Sequence, residues 1–356
     1  MQRRDFTINA IALDSKGEIT DPHNGLKDIL SKTLRTVGKA SERFNEDALR
    51  ILRLVRLSAD LDFNIEEKTA EAAKELAPTL EKIAQERIRE EFVKIIMTSQ
   101  PTKGIKMAQK LGILRYIVPE LEDGIGIKQN QAHAFEVWDH LLNTLQHSAD
   151  KEWPLHIRLA ALFHDIAKPA PRRFDKTKND YTFYGHEVVG ARMTEKNMQN
   201  LRFSKDMIDR VVKLVRWHMF FSDTEQITLS AVRRLIAKVG KDNVWDLMNV
   251  RICDRVGTGR PKENPYRLRK YKSMVEEVMR DPVSVGMLKI DGEGVMKEAK
   301  IPAGPKIGHI LHALLEEVLE KPEINTEEYL KNRAIELSKL PEKELKALGK
   351  EGREKK

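Results

Sequence analysis

The apolar positions of this chain recur with a helical spacing through most of its length. From Glu42 onward, hydrophobic residues return every three to four positions, which is the period of a helix with one buried face. Asn45 is the predicted N-cap of the first helix, whose first turn would hold Glu46 and Asp47. Further helices are predicted over residues 66–77, 81–98, 266–280 and 306–320.

The first forty residues carry a different pattern. β-forming residues open the stretch 6–13, and the turn at residues 14–17 separates it from residues 18–20, which predicts a hairpin. A short helix over residues 26–30 and a last strand over residues 33–37 follow. Three short strands are too few for an independent sheet, so we expect this segment to be the edge of a larger domain.

One apolar run, residues 159–163, ends in an adjacent imidazole and carboxylate, His164 and Asp165. Burying such a pair costs free energy unless something compensates it, and a bound metal ion would do so. Lys168 lies one turn after His164 and would neutralise a phosphate oxygen from the same helix face. His164, Asp165 and Lys168 are therefore the candidate catalytic residues.

Histidines cluster in the middle of the chain, because seven of the ten fall between His133 and His218. His147 and His156 are interpreted as ordinary helix residues. Imidazole and carboxylate ligands together favour Mn, Fe, Ni, Co or Zn, with Mg as an alternative, and a bound ion supplies hydroxide near neutral pH. The candidate metal ligands are His140, His164, Asp165, His186, His218 and Asp254.

Composition restricts the class of protein. The 356 residues are enough for two or three domains. Cys253 is the only cysteine, so no disulfide framework or cysteine zinc site is expected, which fits a cytoplasmic protein. No apolar run is long enough to span a membrane, so no membrane partner is expected. The net charge of +8 favours a nucleic acid partner only weakly.

The ordered ligand set, together with the phrases at residues 163–169 and 185–191, resembles the HD superfamily of metal-dependent phosphohydrolases. The resemblance implies that the first histidine, the His-Asp pair and the last aspartate hold one metal. It also implies that the two intervening histidines, His186 and His218, go with a second ion.

A second resemblance rests on the segments 3–10, 21–25 and 43–53, supported by residues 86–90 and 301–308. They resemble successive motifs of bacterial class II CCA-adding tRNA nucleotidyltransferases and poly(A) polymerases. The resemblance implies nucleotide binding by five residues: Arg4, Asn9, Asp47, Arg50 and Arg53.

Asp47 and Arg50 would select CTP and ATP, because an acceptor beside a donor matches the edge of cytosine or adenine. Considered alone, their spacing is equally that of an i,i+3 salt bridge. The choice between CCA addition and poly(A) addition stays open.

The two resemblances imply a mainly α protein. A small β remnant of a nucleotidyltransferase head is followed by a helical neck that binds the nucleotide base and RNA, an HD-type helical domain, and a helical tail that binds tRNA. The predicted bounds of these four segments are 1–40, 41–124, 125–258 and 259–356.

Nucleotidyl transfer needs two carboxylates on a strand after a glycine-rich turn. Only two residues precede Arg3, and Asp60 and Asp62 follow the base-reading helix, so we reject them as substitutes. Nucleotidyl transfer is therefore not expected unless a nucleotidyltransferase head is supplied. In that case Mg would be the cofactor and ATP or CTP the substrate. A truncated gene product or a misassigned start is the leading explanation, and a split enzyme with a separate head subunit is the alternative.

Three functions fit the sequence. The leading one is an RNA 3′-end-processing family member that binds tRNA, ATP and CTP and hydrolyses phosphoesters at its HD site. The second is a freestanding HD phosphohydrolase acting on nucleotides or cyclic phosphates. The third is an RNA-binding protein whose metal is structural.

Overall fold

The structure, a computed structural model, is mainly helical, which confirms the predicted fold class. No described helix is long and apolar enough to cross a membrane. The chain folds into two compact units. The first comprises Met1–Met219 and Asn249–Glu263, and the second Phe220–Met248 and Asn264–Lys356. The residues that the structure describes are 1–130, 134–220, 227–260 and 262–354.

The first unit opens with short strands. β1 (Ala12–Leu13) pairs antiparallel with β2 (Ile19–Thr20), which confirms the predicted hairpin. The residues before β1 form a 3₁₀ turn, Thr7–Asn9, where a strand was predicted. The carboxylate of Asp5 explains the difference, because it accepts hydrogen bonds from the backbone of Phe6 and the side chain of Asn9.

Strand β3 (Thr33–Leu34), which follows helix α1 (Gly25–Leu30), pairs in parallel with β4 (Asn64–Ile65). The chain between these two strands forms α2 (Ala40–Glu46) and α3 (Leu49–Leu61).

The predicted N-cap is wrong, because Asn45 lies inside α2 and the next helix begins only at Leu49. Oδ1 of Asp47 accepts a hydrogen bond from the backbone N–H of Leu49 at 3.1 Å. A carboxylate two residues further along therefore binds an N-terminal N–H of the next helix.

Three more helices complete this region. The helices predicted at 66–77 and 81–98 are confirmed, with ends shifted by up to four residues. Residue Glu66 caps the first of them by accepting from Thr69 N. The helices are α4 (Glu67–Leu76), α5 (Gln85–Met97) and α6 (Pro101–Lys110).

A buried helix forms the centre of the first unit. The elements of this region are α7 (Val137–Asp150), α8 (Leu155–Phe163), β5 (Arg173–Asp175), β6 (Asp180–Thr182), α9 (His186–Asn200) and α10 (Lys205–Trp217). Every residue from His156 to Phe163 is buried, and their helix, α8, packs against α7 and α10. A small antiparallel hairpin, β5 with β6, separates α8 from α9.

The second unit is helical in all its described elements. Its helices are α11 (Leu229–Val239), α12 (Lys241–Gly257), α13 (Tyr266–Val278), α14 (Gly292–Ala299), α15 (Pro305–Glu320), α16 (Glu327–Ser338) and α17 (Glu342–Glu354). The helices predicted at 266–280 and 306–320 are confirmed as α13 and α15. Helix α12 contributes its residues up to Met248 to this unit and the rest to the first.

Candidate metal centre and nucleotide-binding cluster

The six predicted metal ligands meet in the interior of the first unit. They come from the middle of α7, the end of α8, the start of α9, the end of α10 and the last turns of α12. All six are buried, and their ligand atoms form two groups, within each of which the atoms lie within 4.8 Å of one another. His133, from the same histidine-rich stretch, lies outside the described residues. The groups are His140, His164, Asp165 and Asp254, and Asp165, His186 and His218.

Asp165 belongs to both groups and uses a different oxygen in each. Its Oδ2 lies 3.1 Å from Nε2 of His140 and 3.2 Å from Nε2 of His164. Its Oδ1 lies 3.1 Å from Nε2 of His186 and 3.5 Å from Nε2 of His218. One carboxylate therefore bridges two adjacent sets of imidazole nitrogens, an arrangement suited to one ion or to two.

Backbone carbonyls set the orientation of three imidazoles. Nδ1 of His164, His186 and His218 lies 2.7 to 2.9 Å from the carbonyl oxygen three residues earlier in the chain. Because a carbonyl only accepts, Nδ1 carries the proton in each case, and Nε2 is left to face the centre. Metal-binding histidines are held in the same way, so this arrangement fits a bound cation.

Gly257 allows α12 to bring Asp254 to the centre. A Cβ atom at Gly257 would lie 3.1 Å from the carbonyl oxygen of His140 and 3.2 Å from its Nδ1. The missing side chain therefore lets α12 approach α7 closely, and Oδ1 of Asp254, one turn earlier, reaches 3.4 Å from Nε2 of His140.

The electrostatic balance of the centre favours ionised carboxylates. Burial alone would raise the pKa of Asp165, but the charges of Lys168 and His164 hold that pKa well below its usual range. Burial likewise opposes ionisation of Asp254, and His164 and Arg251 overcome it and lower its pKa. The two carboxylates therefore stay charged, with Lys168, His164 and Arg251 as their cationic neighbours.

The imidazoles respond in opposite directions. Burial lowers the pKa of His164, but the neighbouring Asp165 and Asp254 outweigh it and raise the pKa to about 10. For His218 burial prevails and lowers the pKa to about 4. In the absence of an ion, a proton on His164 thus supplies the positive charge between the carboxylates. A divalent cation bound by these nitrogen and oxygen donors would replace it.

Lys168 lies against the centre and is almost fully buried. Its Nζ is 2.6 Å from Oδ2 of Asp165 and 2.6 Å from Oε1 of Gln129. Arg255, the residue after Asp254, donates from its Nε to the backbone carbonyl of Lys262 at 2.6 Å.

Two residues that were not predicted from the sequence support these side chains. Arg251 Nη1 lies 2.7 Å from Oδ2 of Asp254, and the i,i+3 spacing on one helix was the available signal. Gln129, which binds Lys168, gives no signal in its sequence context.

The predicted nucleotide-binding residues lie in another part of the first unit, at the surface. Asp5, which is buried and was not predicted, organises two of them. Nε of Arg53 lies 2.7 Å from its Oδ2 and Nδ2 of Asn9 lies 3.1 Å from its Oδ1. Burial opposes ionisation, but hydrogen bonds from Asn9 and Arg53 lower the pKa of Asp5.

Asp47 and Arg50 do not pair with each other as the i,i+3 spacing allowed. Oδ2 of Asp47 lies 2.8 Å from Nη2 of Arg87, and Nη1 of Arg50 lies 2.6 Å from Oε2 of Glu46. Arg4 is exposed. We call Arg4, Asn9, Asp47, Arg50 and Arg53 the candidate nucleotide-binding cluster. Within it, Asn9 and Arg53 contact Asp5, whereas Asp47 and Arg50 contact other charged side chains.

Comparison with known families identifies the class of the buried centre. Residues 133–256 match the family described as "HD domain". Residues 62–125 match "Probable RNA and SrmB- binding site of polymerase A", and residues 1–35 match "Poly A polymerase head domain". The protein is thus a helical HD-domain protein with polymerase A segments before the HD domain.

Curated relatives then identify the family. The chain is 35% identical over 322 residues to the CC-adding tRNA nucleotidyltransferase of Thermus thermophilus, covering 88% of this chain and 71% of that protein. It is 28% identical to the A-adding tRNA nucleotidyltransferase of Deinococcus radiodurans, with 89% and 74% covered. The chain belongs to the tRNA nucleotidyltransferase family.

The fold agrees with this assignment. The structure of the Bacillus stearothermophilus CCA-adding enzyme in complex with CTP superposes with a TM-score of 0.65 at 24% sequence identity. The match covers 94% of this chain and 73% of the other. At this identity the match establishes the common fold alone.

Proposed function

We propose that the buried centre is a divalent-metal phosphohydrolase site and that His164, Asp165 and Lys168 are its catalytic residues. The observation that carries the proposal is the bridging geometry of Asp165, whose two oxygens each face a pair of imidazole nitrogens at 3.1 to 3.5 Å. Mn, Fe, Ni, Co or Zn suits this nitrogen-rich donor set, with Mg as the alternative.

A bound ion would acidify a water molecule and so make hydroxide available near neutral pH. In the overall reaction, the water oxygen bonds to phosphorus, the bond from phosphorus to the ester oxygen breaks, and that oxygen takes up a proton. The chain's own residues prepare the site. Lys168 and Arg251 hold Asp165 and Asp254 charged and in place, and three carbonyls fix the imidazole tautomers.

We further propose that the protein acts on RNA in the cytoplasm, with tRNA as the partner, and that the nucleotide-binding cluster takes CTP or ATP. The tRNA nucleotidyltransferase activities of the two relatives support tRNA, and the CTP in the Bacillus stearothermophilus complex supports the nucleotide. CC addition and A addition are both represented among the relatives, so the added base stays open.

The activity that we propose for the described residues does not include nucleotidyl transfer. Among them no strand carries two carboxylates, which in-line transfer with two metals would require. We expect the chain alone to add no labelled CMP or AMP to a tRNA lacking its 3′ end, and addition when a separate head and Mg are supplied. Incorporation by the chain alone would contradict this part of the proposal.

Hydrolysis assays test the main proposal. The wild type, loaded in turn with each metal, is given 2′,3′-cyclic nucleotides and nucleoside monophosphates, beside the double variant His164→Ala/Asp165→Ala. Equal hydrolysis by both proteins would refute an HD enzyme. A metal-loaded wild type that hydrolyses none of them, yet shifts tRNA in a gel at low salt, would favour an RNA-binding protein with a structural metal.

A further inference from the structure

The segment between two metal ligands forms a separate small element. The chain leaves the centre after Lys168, forms the hairpin of β5 and β6, and returns to the centre at His186. Phe174 and Tyr181 face each other across the two strands. We call residues 172–184 the HD hairpin.

The base of the HD hairpin is attached directly to the centre through Phe183. Its carbonyl oxygen accepts the hydrogen bond from Nδ1 of His186 at 2.7 Å. The centroid of its buried ring lies 5.6 Å from Nζ of Lys168, the cation that contacts Asp165. A molecule bound on the hairpin would therefore lie beside the candidate metal site.

Aromatic rings are displayed on this hairpin although it is small. Phe174 is 52% exposed and Tyr184 is 73% exposed. The ring of Phe174 packs edge-on against Tyr181, with centroids 5.3 Å apart, and the guanidinium of Arg172 lies 3.7 Å from the centroid of Tyr181. One part of the Phe174 side chain thus packs against Tyr181, while much of its ring stays open to solvent.

Cations accompany the rings. The HD hairpin contains four basic residues against two carboxylates. Nζ of Lys178 donates to the hydroxyl of Tyr184 at 2.6 Å and so holds that ring. Arg173 and Lys176 are exposed, and within the described part of the chain neither forms an ion pair.

We propose that the HD hairpin binds the single-stranded end of an RNA substrate of the metal centre, with bases stacked on Phe174 and Tyr184 and phosphates beside Arg173 and Lys176. Proteins bind single-stranded RNA through exposed aromatic rings and cations, and each stacked base contributes about 1–3 kcal/mol. An acidic peptide would use the cations but not the ring faces. The inference rests on the proposed phosphohydrolase function, and it names the substrate as an oligonucleotide.

The test compares two substrates that carry the same reacting group. One is a 2′,3′-cyclic mononucleotide and the other a single-stranded oligoribonucleotide of about five residues that ends in a 2′,3′-cyclic phosphate. The variant Phe174→Ala/Lys176→Ala should lower the ratio of kcat/KM for the oligonucleotide over the mononucleotide by about 10-fold. The matched control is Leu13→Ala/Lys16→Ala, which removes an exposed apolar residue and an exposed lysine from the hairpin of β1 and β2. An unchanged ratio in the Phe174 variant would overturn the inference while leaving the phosphohydrolase intact.

If the wild type hydrolyses neither substrate, the proposed phosphohydrolase function is refuted. A second measurement then still tests whether the HD hairpin binds RNA. The same oligonucleotide with 4-thiouridine next to its 3′ end is photo-crosslinked to the full chain, and the crosslinked peptides are identified by mass spectrometry. Crosslinks should fall within residues 172–184 and be lost in the Phe174→Ala/Lys176→Ala variant. Crosslinks confined to other segments, or full competition by an acidic peptide at equal concentration, would overturn the proposal.

Discussion

The candidate metal centre and the candidate nucleotide-binding cluster differ most in how their charged groups are held. At the centre the side chains of His140 and His164 are fully buried and that of Asp165 is 2% exposed. In the cluster Asp47 and Arg53 are each about a third exposed. Burial fixes the donors at the centre before any ligand binds, whereas Asp47 of the cluster pairs with Arg87 at the surface.

This difference determines how much each charged group contributes. Removing one partner of a buried pair leaves the other charge uncompensated and costs about 3–5 kcal/mol, whereas an exposed pair contributes about 0–1 kcal/mol. Substitutions at the metal centre should therefore have large effects on binding and folding. Substitution of Asp47, whose partner Arg87 is exposed, should affect nucleotide affinity and leave folding nearly unchanged, whereas loss of Arg53 would also leave the buried carboxylate of Asp5 without its ion pair.

The largest effect is expected from Asp165→Asn, because both groups of imidazoles lose their shared carboxylate. Metal-dependent hydrolysis should fall by more than about 1000-fold, which corresponds to roughly 4 kcal/mol of barrier. Metal content by mass spectrometry should fall in parallel. The control is Asp139→Asn, on the exposed side of α7 beside Lys106. Retention of metal and of at least a tenth of the activity in Asp165→Asn would contradict the bridging role.

Removal of the metal should destabilise the first unit. A ligand at about 100 times its Kd stabilises the folded state by about 2.7 kcal/mol. A chelator should therefore lower the melting temperature of the wild type by several degrees, and Mn or Co should restore it. The double variant His164→Ala/Asp165→Ala, which lacks two ligands, should show no response to either addition. An equal response in both proteins would place the stabilising ion elsewhere.

Arg251→Ala should weaken metal binding by about 10- to 100-fold, because the guanidinium that positions Asp254 is lost. Arg255→Ala is the matched control. It removes the same side chain from the residue beside Asp254, but its guanidinium binds the carbonyl of Lys262. Titration of the apo-protein with Co²⁺, followed by absorbance, measures both variants. Equal losses in the two would mean that general charge, rather than the contact with Asp254, matters.

The sequence predicted which side chains meet at the candidate metal centre more completely than the contacts that support them. His140, His164 and Asp165 were recognisable from their residue types and order, since metal chemistry restricts ligands to a few side chains. Gln129 was not recognisable, because its contact with Lys168 joins residues that are 39 positions apart in sequence and glutamine is common on surfaces. Such a contact exists only once the chain is folded.

The predictions of local structure failed where short-range polar contacts compete with the pattern of hydrophobic and polar positions. The strand predicted from Phe6 is replaced by a 3₁₀ turn because Asp5 binds the backbone locally. The cap predicted at Asn45 is displaced because Asp47 offers a carboxylate to the N–H of Leu49. Both errors lie within the segments 3–10 and 43–53, which the sequence predicts to bind a nucleotide.

The smallest effect is expected from Asp47→Ala in the cluster. Asp47 already contacts Arg87 at 2.8 Å, so a nucleotide base would have to compete with that exposed ion pair for the carboxylate. Loss of a base-edge contact typically costs about 1–3 kcal/mol, and this competition places the expected loss at the lower end, about a 10-fold weaker CTP affinity. Calorimetry with CTP measures it, and Asp60→Ala, an exposed carboxylate near Arg56, is the control. A drop in melting temperature without a change in CTP affinity would instead make Asp47 a structural partner of Arg87, and the contrast between a fixed centre and an exchangeable cluster would fail.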